Sequence, residues 1–84
     1  YPNPFNPSTV ISYSLPVDGA VKLVVTNVLG QEVKELVNGQ QTAGSYKINF
    51  NAQGLTSGIY FYNLNVKSAS GEVFNQVKKM MYLK

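Results

Sequence analysis

Apolar and polar residues alternate along most of this chain. Ile11, Tyr13 and Leu15 are separated by Ser12 and Ser14. Val21, Leu23 and Val25 are interleaved with Lys22 and Val24, and Tyr46, Ile48 and Phe50 with Lys47 and Asn49. Period two marks a strand with one buried face, because successive side chains leave a pleated backbone on opposite sides. The run IYFYNLNV (59–66) is the most strand-like, with aromatic and β-branched residues and an inward parity of Tyr60, Tyr62, Leu64 and Val66. These four, with Tyr13, Leu15, Val21, Leu23, Val25, Tyr46, Ile48 and Phe50, are expected to share one core.

Turn residues punctuate the pattern. PVDG (16–19), NVLG (27–30) and SASG (68–71) each end in Gly, and NAQGLTSG (51–58) is a longer loop. QEVKELVN (31–38) is ambiguous, because Leu29, Val33, Leu36 and Val37 have helical spacing. A helix there would span about two turns, which is marginal in isolation. Its strand neighbours favour a strand, or a strand pair, carrying a bulge. The last segment (72–83) reads as a strand with Val73, Val77, Met81 and Leu83 inward, leaving Phe74, Met80 and Tyr82 outward. Short strands with a turn roughly every 8–12 residues predict an all-β, immunoglobulin-like antiparallel β-sandwich of about seven strands. The Cys and Trp hallmarks of antibody domains are missing.

At 84 residues the chain is expected to be one domain, 1–84. A chain this short buries only about 60% of its unfolded surface, and without Cys no disulfide assists it. No apolar run approaches the ~20 residues of a membrane helix, so membrane insertion is not expected. With no initiator Met, basic n-region or apolar h-region, the chain reads as a piece of a longer protein.

The charge is sparse: seven Lys, no Arg, one Asp and three Glu, net +3. Dispersed lysines without Arg argue against a nucleic-acid partner, which needs bidentate contacts and a basic patch. There is no His and no Cys, which removes thiol nucleophiles, imidazole bases and the usual zinc sites. Asp18 stands alone in a turn, and Glu32 and Glu35 flank Lys34, so no carboxylate pair suits glycoside hydrolysis. No cluster suits calcium, and the glycines are scattered singly rather than gathered into a phosphate loop. The expectation is no catalytic residue, no metal, no cofactor and no enzyme. Six Tyr and four Phe suggest two roles: a sugar-stacking platform, or core bulk with hydroxyls at the wet edge. Their alternation favours the core.

The chain opens YPNPFNPSTVISYSLP, with Pro4 and Pro7 pushing Asn3 and Asn6 toward extended geometry. This gives a stiff leader, 1–7, ahead of a sandwich, 8–84. Together with NVLGQEVKELVN (27–38), AGSYKINFNAQGLTSGIYFYNL (43–64) and VKKMMYLK (77–84), the opening resembles the C-terminal sorting domain (type A) of proteins exported by the type IX secretion system. The matching residues are Pro2, Asn3, Pro4, Phe5, Gly44, Tyr46, Gly58, Tyr60, Tyr62, Lys79 and Lys84. Two positions depart from the family pattern: Thr26-Asn27 stands where Tyr-Asp or Tyr-Asn is common, and Asn63 where Arg or Lys often follows the FY pair.

The resemblance implies an immunoglobulin-like module at the end of a larger secreted protein. It implies an outer-membrane translocon and a sortase-like peptidase as partners, with cargo domains in the same chain. The destination is the cell surface or the medium, with cleavage expected upstream of Tyr1. The leader is then expected to space cargo from the domain, or only to staple the first strand through Phe5. An outward patch of Val24, Ile59, Phe61, Phe74, Met80 and Tyr82 is expected to be read by the machinery. Lys78, Lys79 and Lys84 would guard the last strand against stray pairing. The candidate recognition set is therefore Pro2, Asn3, Pro4, Phe5, Gly58, Tyr60, Phe61, Tyr62, Phe74, Lys78, Lys79 and Lys84. The competing readings are a carbohydrate-binding accessory module of a polysaccharide-degrading enzyme and a structural or adhesion β-sandwich module.

Overall fold

The computed structural model describes residues 8–83. Those residues form six strands and no helix: β1 (Ser8–Leu15), β2 (Gly19–Asn27), β3 (Glu32–Gln41), β4 (Gly44–Asn51), β5 (Gly58–Lys67) and β6 (Val73–Tyr82). All pairings are antiparallel. β1 and β4 make a two-stranded sheet, and β3-β2-β5-β6 a four-stranded one. The chain crosses between sheets after β1, after β3 and after β4. The expected seven strands are six because the ambiguous stretch at 31–38 is a single strand.

That stretch also explains its own misleading pattern. β3 pairs with β2 through two register shifts, opposite Leu23/Val24 and Val25/Thr26. Each shift adds a residue to β3 and moves its parity by one. Val33, Leu36 and Val37 therefore all pack against the core without sharing a parity. Two bulges in a strand imitate the spacing of a helix.

One core joins the two sheets. Ile11, Tyr13, Leu15 and Phe50 come from the small sheet, and Val21, Leu23, Val25, Tyr60, Leu64, Val66 and Tyr82 from the large one. Tyr46, Ile48 and Tyr62 are half-buried against it. All twelve residues of β1, β2, β4 and β5 expected to share one core are thus in it or packed on it. Among the described residues no buried residue is polar or charged.

β6 runs opposite to expectation. Tyr82 is buried and Phe74 and Met80 pack on the core, whereas Val73, Val77 and Met81 are exposed. Both parities of this strand are apolar, so its own pattern does not choose between them. The turn before it does. Ser68 N–H donates to the Glu72 carbonyl (2.9 Å) and Gly71 N–H to the Ser68 carbonyl (3.0 Å), closing a three-residue loop with Gly71 at φ 92°. That loop sets Val66 opposite Phe74 and Tyr60 opposite Met80. Directly opposed residues share a face, so the inward parity of β5 imposes itself on β6. The larger ring contacts then go inside.

Candidate recognition surface

A short motif occurs twice and builds the same corner each time. Thr42-Ala43-Gly44-Ser45-Tyr46 enters β4, and Thr56-Ser57-Gly58-Ile59-Tyr60 enters β5. In each, the Tyr phenol donates back to the Thr carbonyl oxygen: Tyr46 to Thr42 at 2.6 Å and Tyr60 to Thr56 at 2.7 Å. The Thr hydroxyl lies near the same phenol oxygen, at 3.2 Å and 3.3 Å respectively. The glycine between them has positive φ, 144° at Gly44 and 154° at Gly58, which side chains resist. Gly58, Tyr60 and Tyr46 are therefore framework residues at the points where the chain changes sheets. Reading the T-x-G-x-Y repeat would have revealed the second corner from the sequence.

The second corner opens onto one end of the molecule. There the β2–β3 turn faces the loop that leads into β5, around a cleft of about 390 Å³ lined by Val28, Leu29, Val33, Leu55, Ile59 and neighbours. Asn27 holds the turn. Its Oδ1 accepts from the N–H of Leu29 (2.9 Å) and of Gln31 (3.0 Å), an Asx-type closure. Val28 and Leu29 sit at the tip, 65% and 79% exposed. Neither contributes to the core, and polar residues would serve the turn as well. Ile59 and its cross-strand partner Met81 are exposed beside them, and Leu83 follows just past β6. Period-two alternation marks strands and carries no signal at a turn tip. An Asx turn carrying two large apolar residues is the signal that marks it.

The outer face of the large sheet continues from this end. Phe61 is half-buried there and faces Lys79 across the β5–β6 pair, while Asn63 lies between Val24 and Val77. The outward apolar set is accordingly Val24, Ile59, Phe61, Val73, Val77 and Met81. Phe74, Met80 and Tyr82, expected in it, belong to the inner face. Tyr62 also faces inward, opposite Lys78. Lys78 and Gln76 line a second cleft, of about 360 Å³, beside the stacked rings of Tyr13 and Tyr46, whose centroids are 5.3 Å apart. The structure thus joins Phe61 with Lys79 and Tyr62 with Lys78, on opposite faces of the sheet. Phe74 stands apart from Phe61. Pro2, Asn3, Pro4, Phe5 and Lys84 lie outside the described residues. Tyr13 and Tyr60 are buried and Tyr46 and Tyr62 half-buried against the core, and Tyr13 and Tyr46 also line the second cleft.

Among the described residues, no three of His, Cys, Asp and Glu gather in a group that could hold a metal, and no buried side-chain polar atom lacks a hydrogen-bond partner. Among the described residues no helix is long and apolar enough to cross a membrane. Fold and surface together define a small all-β domain whose unusual chemistry is on its outside. The chain matches the family model of the secretion system C-terminal sorting domain over residues 1–81, and it belongs to that family, the sorting domains of type IX secretion. No curated protein and no solved structure matches it.

Proposed function

We propose that this domain is a non-catalytic sorting module that directs the protein carrying it through the type IX secretion system to the cell surface or the medium. The observation that carries this reading is the family match along nearly the whole chain. In this reading the outer-membrane machinery recognises the domain as a folded surface. A sortase-like peptidase then separates it from the cargo upstream of Tyr1, with the proline-rich leader as spacer. The exposed end formed by Val28, Leu29, Ile59, Met81 and Leu83 supports a surface-recognition mechanism. Contiguous exposed apolar residues on a small domain usually mark a partner site.

The fold is immunoglobulin-like in this proposal. Two features support it: the order β1-β4 against β3-β2-β5-β6, and the corner at Tyr60. In immunoglobulin-type sandwiches a Tyr at the equivalent crossing bonds back to the backbone a few residues upstream.

The test is a reporter with a signal peptide, fused ahead of residues 1–84, in a host with a functional type IX system. The expected result is reporter outside the cell, lost when the domain is deleted. A second fusion carries Val28→Ser with Leu29→Ser. It is expected to melt at the parent temperature and to leave the reporter inside. Retention of the parent fusion inside the cell would overturn the sorting function. Export of the double variant would overturn only the role of the turn tip, and would direct attention to Phe61 and Lys79.

A further inference from the structure

The outermost strand of the large sheet is complementary to itself. β6 pairs with β5 along its whole length, from Val73 opposite Lys67 to Tyr82 opposite Gly58, without a register shift. The opposite edge, β3, is bulged twice, a device that blunts an edge against further pairing. β6 has no bulge, no proline and no glycine. Among the described residues nothing pairs with its free side.

We infer that β6 is a self-association edge, and that two copies of this chain pair their β6 strands antiparallel about a twofold axis at Val77. The backbone permits it. The Ser68 N–H donates to the Glu72 carbonyl, so the even-numbered residues of β6 turn their peptide groups toward β5. The odd-numbered ones, Val77 among them, turn theirs to the open side, as antiparallel alternation requires.

The side chains select the register. With Val77 opposite itself, Val73 falls opposite Met81 on the outer face, and Phe74 opposite Met80 on the inner face. Asn75 falls opposite Lys79, and Gln76 opposite Lys78. Apolar residues meet apolar ones, and each lysine meets an amide oxygen. Asn75 Oδ1 already accepts from Asn65 Nδ2 at 2.6 Å, and a carbonyl oxygen has a second lone pair for the ammonium.

Neighbouring registers fail. An axis at Lys78 sets two ammonium groups face to face, which destabilises a cross-strand pair. An axis at Gln76 sets Lys78 against Phe74 and Lys79 against Val73, and leaves Met80 and Met81 without partners. The lysines that deter foreign strands therefore permit one arrangement of this strand with itself. It joins two four-stranded sheets into one and brings Val73, Val77 and Met81, 53%, 60% and 46% exposed in the single chain, into contact across the seam. The contact is one strand wide, so the dimer is weak and concentration-dependent.

Sedimentation equilibrium of the 84-residue chain over a wide concentration range tests this. The expected mass rises from one chain to two. Val77→Lys places two charges on the axis and is expected to hold the chain at single mass. Asn75→Asp creates two carboxylate–lysine pairs and is expected to tighten association several-fold, an effect lost in high salt.

Single cysteines in this Cys-free chain read the register. Val77→Cys is expected to cross-link with itself, since hydrogen-bonded antiparallel partners have Cα atoms ~5.5 Å apart, within disulfide reach. Asn75→Cys sits about 14 Å from its own copy by strand rise. It is expected to link only when mixed with Lys79→Cys. All three positions are exposed, and thermal melts verify folding. A chain of single mass at every concentration, or equal self-linking at positions 75 and 77, would overturn the inference.

Discussion

The phenol of Tyr60 donates to the carbonyl oxygen of Thr56, four residues back and 2.7 Å away. Tyr60 is 5% exposed, so water is poorly placed to take over this bond, and the bond pins the crossing from β4 to β5. Tyr60→Phe is expected to cost about 1 kcal/mol, a drop in melting temperature of roughly 4–8 °C for a domain of this size. Tyr46→Phe removes the matching bond at the half-buried first corner and is expected to cost less than half as much. Equal losses at the two sites would mean that burial does not set the value of the bond.

Gly19 is buried where β2 begins, and a Cβ there would lie 2.5 Å from the carbonyl oxygen of Lys67. Backbone atoms of a paired strand cannot move aside cheaply. Gly19→Ala is expected to destabilise by about 2 kcal/mol or more. Gly39→Ala is the contrast, because nothing lies within 4 Å of the added carbon and φ is not positive. It is expected to be neutral or slightly stabilising, through the reduced entropy of the unfolded chain. Urea denaturation of the two variants measures the difference.

The inward parity of β6 has its own test. Phe74 packs on the core, whereas Val77 is exposed. Phe74→Ser is expected to lose about 2 kcal/mol, the scale of a partly buried ring removed from a core. Val77→Ser is expected to stay within about 0.5 kcal/mol of the parent. The comparison is made at low protein concentration, where pairing between copies does not contribute. Reversed losses would restore the opposite face of β6 to the core.

Stability is expected to be nearly flat between pH 5.5 and 7.5. The chain has no His and no Cys, the groups whose ordinary ionisation falls in or near that range. Without differential proton binding, the slope of stability with pH is zero. Melting midpoints at the two pH values should agree to within about 2 °C. A midpoint falling as pH rises would report a group whose protonated form the fold prefers, and one rising with pH a group whose deprotonated form it prefers.

Local alternation was enough to fix the strands and the inward sides of β1, β2, β4 and β5. In each, one parity is strongly apolar and the other mostly polar, and period two ties parity to face. The turns at 27–30 and 68–71 were legible for a similar reason: Gly30 and Gly71 have φ of 81° and 92°, a conformation that glycine adopts without strain. Two of the ordered family motifs contain turn and corner residues, Asn27–Gly30 and Thr56–Tyr60, whose geometry leaves few substitutes.

Pairing decided the rest. β3 looked helical because two bulges, created opposite Leu23/Val24 and Val25/Thr26, shift its parity twice, and a bulge exists only against a partner strand. β6 is apolar on both sides, so its facing came from the three-residue loop and the already committed side of β5. The exposed end is likewise a tertiary product. Val28 and Leu29 lie about thirty residues from Ile59 and about fifty from Met81 in sequence, and only the pairing of β2 with β5 and of β5 with β6 brings them together.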